Sequence, residues 1–79
     1  MNTAATPTEA EEIAVKAIKT YLEACRTTQS DPNYSNYLMK LCSVAGVTIA
    51  QKEGFVVAAQ RLEGTALFLL GQGNKGSMQ

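Results

Sequence analysis

Glu9, Glu11 and Glu12 are the closest set of carboxylates in the chain. Adjacent carboxylates are the groups that general acid–base catalysis and hard-cation binding use. Here they fall in the first turn of an expected helix, where the helix dipole favours negative charge, and that preference accounts for them fully. Cys25 and Cys42 are the only thiols, and the sequence contains no histidine. A nucleophilic cysteine needs a neighbouring base, and two thiols without histidine make a poor zinc site. If the helices carrying them run antiparallel about residues 29–31, Cys42 faces the region of Ile18, about 10 Å along the axis from Cys25. That separation disfavours an intrachain disulfide, so both are read as small buried hydrophobes. Gly71-Gln72-Gly73 follows a helix, the wrong context for a phosphate-binding loop. No catalytic residue, cofactor or metal ligand is expected, and an enzyme is not.

Two further groups of residues suggest binding. The stretch from Ser43 to Lys52, with Gly46 in its centre, has the outline of a helix-turn-helix. Gln51 and Lys52 could meet base edges, but Gly54, Phe55 and Val56 follow at once. Asn33, Tyr34, Asn36 and Tyr37 open the second helix near Arg26, and tyrosine and arginine are enriched at binding hot spots. Amides at a helix N-terminus also suit an anionic small ligand. The alternative is that both tyrosines edge the core with their hydroxyls in water.

The elements that carry these residues are read as three helices. Thr8 and Glu11 form a capping box after Pro7, and Ala10, Ile13, Ala14, Ala17, Ile18, Tyr21 and Cys25 recur at helical spacing, giving a helix over about 8–27. Asp31-Pro32 is read as cap and first helical residue of a second helix, over about 32–45, carrying Tyr34, Tyr37, Leu38, Leu41, Cys42 and Ala45 and stopped at Gly46. Thr48 and Gln51 form another box, and a third helix runs to Gly71, over about 48–70. Its expected core stripe is Phe55, Ala58, Ala59, Leu62, Ala66 and Leu69. Ile49, Val56 and Leu67 make a second apolar line, and Ala50, Val57, Gly64 and Phe68 a third. The fold class is therefore all-α, a small three-helix bundle in one domain, with residues 1–7 and 72–79 disordered.

A helix apolar on several sides needs more than one packing partner. A chain of 79 residues buries only about 60% of its unfolded surface, and without disulfide or metal the usual support is oligomerisation. Seven basic residues balance seven acidic ones, so the basic patch of a nucleic-acid binder is missing. Neutrality also leaves copies of the chain free to associate. The start is polar, with no signal peptide, and no apolar run approaches the length of a membrane span. These features point to a cytoplasmic protein with reduced thiols.

The segment Gly54-Phe55-Val56-Val57-Ala58-Ala59-Gln60 loosely resembles helices in short accessory proteins of bacteriophages. It covers under a third of the chain, holds no diagnostic residue and names no family. The function expected is a non-enzymatic helical module that self-associates, a dimer first, and binds and modulates or inhibits another macromolecule, with an unidentified protein as the expected partner, in the manner of a phage or mobile-element accessory protein. Its interface is expected at Ile49, Val56, Val57, Gly64, Leu67 and Phe68, with Asn33, Tyr34, Asn36, Tyr37 and Arg26 as a second partner surface. The competing expectations are a DNA-binding regulator turning at Gly46 and a small-ligand or nucleotide binder at subunit boundaries.

Overall fold

Pro7 and Gly54 begin two of the three helices, and each does so for a reason of backbone chemistry. A computed structural model describes residues 3–77, all-α with no strand among them. The helices are α1 (Pro7–Ala24), α2 (Tyr34–Glu53) and α3 (Phe55–Ser77). The chain divides into two units, Met1–Met39 and Lys40–Gln79, the boundary falling inside α2. Met1, Asn2, Met78 and Gln79, within the termini expected to be disordered, lie outside the described residues.

In the first unit, α1 is capped two residues earlier than expected. Thr6, not Thr8, is the cap: its Oγ accepts the Glu9 N–H at 3.2 Å while the Glu9 carboxylate accepts the Thr6 N–H at 2.8 Å. Both Thr6/Glu9 and Thr8/Glu11 fit the box. The earlier one puts Pro7 at the first helical position, where its missing N–H is not needed. At the other end Arg26 takes a left-handed φ of 58°. Its N–H donates to Glu23 O at 3.0 Å and the Thr27 N–H to Leu22 O at 3.2 Å, the paired bonds of a Schellman cap with arginine where glycine is usual. Thr27 is buried, and its hydroxyl donates to Asp31 at 3.0 Å. Asp31 also accepts the Asn33 N–H at 2.8 Å, but Pro32 and Asn33 form a turn and regular α-helix begins only at Tyr34, so Asp31 closes the turn ahead of α2 instead of capping its first residue.

The second unit holds the main correction. Gly46 does not end a helix; it is buried in the interior of α2. The break falls at Gly54, with φ 91°. Its N–H donates to Ala50 O at 2.8 Å and its carbonyl accepts the Ala58 N–H at 3.1 Å, so one residue closes α2 and opens α3. A left-handed backbone is cheap only for glycine. Thr48, expected as a cap, instead donates its hydroxyl to Val44 O at 2.9 Å within the helix, a bond that leaves helical geometry in place. At the far end α3 continues past the expected stop at Gly71 through Ser77.

Small residues bring α2 and α3 together beside this turn. Ala50 and Ala58 are buried, and a Cβ on Gly46 would lie 2.9 Å from Leu62 Cδ1. Across the turn Arg61 forms a two-pronged pair with Glu53, Nη2 to Oε2 at 2.9 Å. Four residues further from the turn on each helix, Cys42 and Ala66 are already exposed. The expected α3 core stripe is thus realised only at Ala58 and partly at Leu62; Phe55, Ala59, Ala66 and Leu69 are exposed.

Candidate interaction surface

Among the described residues, the α3 helix carries half of the large exposed hydrophobic side chains: Phe55, Val56, Val57, Leu67, Phe68, Leu69 and Leu70. Phe55 is 77% exposed, Val56 72%, and each residue from Leu67 to Leu70 62%. The cause is local: Ala58 and Leu62 meet α2, and every residue from Glu63 to Gly73 is exposed. Four successive large apolar residues at 67–70 cover more than one side of a helix at about 100° per residue, so no single neighbour can bury all of them.

Of the interface residues inferred from sequence, Val56, Leu67 and Phe68 are strongly exposed and Val57 stands at 36%. Gly64 is exposed, and a Cβ placed there would find open space within 4 Å. Ile49 is half-buried and belongs to α2, with Gly54 separating it from the others. Three exposed residues fall outside the inferred interface. Phe55 and Leu69 belong to the expected core stripe, and Leu70 to no apolar line. Their signal is present in the sequence, since α3 has more apolar lines than one neighbouring helix can cover.

Beside the turn an open groove of about 280 Å³ runs between Ser43, Gly46 and Val47 of α2 and Phe55, Ala59 and Leu62 of α3. A second hollow is lined by Thr48, Ile49, Lys52, Glu53 and Arg61. The Glu53 carboxyl is held below its ordinary value by its hydrogen bonds from Arg61. In the second hollow the Thr48 hydroxyl is taken up by Val44 O and the Glu53 carboxylate by Arg61.

In the first unit the tyrosine patch is only partly assembled. Tyr34 is half-buried, Tyr37 is 36% exposed, and Asn33, Asn36 and Arg26 are exposed. The Asn36 side-chain amide donates to Asn33 Oδ1 at 3.2 Å, which uses part of the polarity offered to a ligand. The Tyr21 hydroxyl donates to the Tyr37 carbonyl at 2.7 Å. Burial, and after it the Cys25 thiol, raise the Tyr21 phenol above its usual 10.0, so it remains a donor. The bond uses the backbone of Tyr37 and leaves the Tyr37 ring free. Glu9 is absorbed by the Thr6 cap, whose backbone N–H is the first cause of its lowered pKa. Glu11 and Glu12 line an open hollow with Val15 and Lys16.

Cys25 and Cys42 are both free thiols; Cys25 is half-buried and Cys42 exposed, not in a core as expected. Among the described residues no three His, Cys, Asp or Glu side chains gather as a metal site, and no helix is long and apolar enough to cross a membrane. No family model, curated protein or solved structure matches the chain.

Proposed function

We propose that this chain is a non-enzymatic helical interaction module that self-associates through α3 and, as an assembly, binds and modulates or inhibits another protein. The observation that carries the reading is the exposed apolar surface of α3, above all Val56, Leu67, Phe68, Leu69 and Leu70. Exposed apolar patches larger than a few hundred Å² on a soluble chain mark association surfaces.

A cytoplasmic site of action goes with this reading, because Cys25 and Cys42 are both free and thiols persist in reducing compartments. The helix-turn-helix turn expected at Gly46 does not form, since Gly46 lies inside α2. The test is solution mass by light scattering over a concentration series, repeated on Phe68→Asp and Val57→Asp. The expected result is a dimer or larger species for the natural chain and a monomer for Phe68→Asp. A monomer at every concentration would refute self-association and leave the α3 surface to a different protein.

A further inference from the structure

We infer that Gly54 is a hinge: α2 and α3 exchange between the observed bend and one continuous helix from Tyr34 to Ser77, with the Glu53–Arg61 pair as the clasp of the bent form. The exchange takes place within a single chain and does not depend on self-association.

Hydrogen bonding already runs through the bend as it does in a helix. The Gly54 N–H donates to Ala50 O at 2.8 Å and the Ala58 N–H to Gly54 O at 3.1 Å, both the four-residue step of an α-helix. No linker separates the two helices, since Glu53 is the last residue of α2 and Phe55 the first of α3. Gly54, with φ 91°, is all that lies between them. Returning its backbone to the helical region gives the N–H groups of Phe55, Val56 and Val57 the carbonyls of Gln51, Lys52 and Glu53. The first turn of a helix lacks such partners. Residues 51–57 hold no proline, the residue that would forbid a continuous ladder.

What holds the bend is small and close to it. Gly46, Ala50 and Ala58 are buried and Leu62 is half-buried, while one turn further out Cys42 and Ala66 are exposed. Glycine and alanine carry little apolar area to bury, so straightening uncovers little. The remaining tie is the two-pronged contact of Arg61 with Glu53, whose side chains are 57% and 33% exposed. On a continuous helix those residues stand about 12 Å apart along the axis, so the two-pronged contact belongs to the bent form. Exposed ion pairs are weak, and this clasp opens easily.

The two forms offer different surfaces. Bent, the chain has the groove between Ser43, Gly46 and Val47 of α2 and Phe55, Ala59 and Leu62 of α3. Straight, it has no groove there, and Gly46, Ala50 and Ala58 reach solvent. A partner that grips either surface shifts the hinge by the difference in its affinity for the two forms.

Spin labels on the native Cys42 and on Ala66→Cys, in a chain carrying Cys25→Ala, read the hinge by pulsed electron resonance. Both positions are exposed. Dilution into unlabelled natural chain under reducing conditions, after labelling with a non-reducible maleimide label, confines the measurement to distances within one chain. The bent form gives a short distance across the turn, and the straight form one of about 36 Å at 1.5 Å per residue. Glu53→Gln should raise the ratio of straight to bent about twofold to fivefold, the range of an exposed charge pair. Gly54→Ala should raise it about tenfold, because alanine resists the left-handed backbone of the bend. Gly64→Ala, helical in both forms, should leave the ratio unchanged. A short distance alone in both hinge variants, or a ratio that neither substitution moves, overturns the hinge. Glu53→Gln alters only an exposed pair, so its reading decides if Gly54→Ala loses helix content by circular dichroism.

Discussion

A Cβ at Gly46 would stand 2.9 Å from Leu62 Cδ1, closer than carbon atoms pack. The hydrogen side chain of Gly46 is therefore what lets α2 and α3 approach, while the left-handed backbone belongs to Gly54. Two glycines in one apolar stretch have opposite duties, and substitution separates them.

Gly46→Leu should lower stability by about 2 kcal/mol, because the added side chain must displace Leu62 from its packing on α2. Gly64→Ala, in a helix with nothing within 4 Å, should instead raise it by about 1 kcal/mol. Urea unfolding followed by circular dichroism at fixed protein concentration measures both. Equal effects at the two positions would contradict the close approach at Gly46.

At Gly54 the space is open and the backbone decides. With φ at 91°, Gly54→Ala should cost about 1–2 kcal/mol through left-handed strain alone. Gly54→Asn should cost less, since asparagine tolerates positive φ better. A cost for alanine no greater than at Gly64 would mean that the break is not held at Gly54.

Arg26 offers the reverse case. Its φ of 58° sits where a Schellman cap prefers glycine, so Arg26→Gly should raise the melting temperature, with a gain of up to about 1 kcal/mol. Arg26→Ala keeps a Cβ and should bring no such gain. If alanine and glycine behave alike, charge rather than backbone strain governs the position.

Acidification should destabilise the fold. Hydrogen bonds from Arg61 lower the Glu53 pKa, and the Thr6 N–H, followed by its hydroxyl, lowers that of Glu9, both from an ordinary 4.5. A folded pKa below the unfolded one means stability that is fully present above the unfolded value and lost as pH falls through the folded one. The melting temperature should therefore drop below about pH 4.5, and Glu53→Gln and Glu9→Gln should each remove part of that drop. A pH profile unaltered by both substitutions would rule out these two carboxylates as its source.

Helix content was legible in the sequence alone, whereas the caps expected at Thr8, Gly46, Thr48 and Gly71 are not where the helices begin or end. Local rules suffice for a Thr-x-x-Glu box beside Pro7, for Asp31 accepting the Asn33 N–H, and for apolar residues recurring at helical spacing, because all the interacting groups lie within one turn of chain. The same locality left the Thr6 and Thr8 boxes equivalent, and only the observed hydrogen bonds choose between them. Tertiary structure decided which glycine breaks the α2–α3 stretch. Gly46 and Gly54 have the same intrinsic freedom, and the choice depends on Leu62, distant in sequence, meeting Gly46 across the turn. It also decided which apolar line of α3 is covered. Periodicity specifies that lines exist, but Ala58 is buried and Phe55 left bare by where α2 lies once Gly54 has turned the chain.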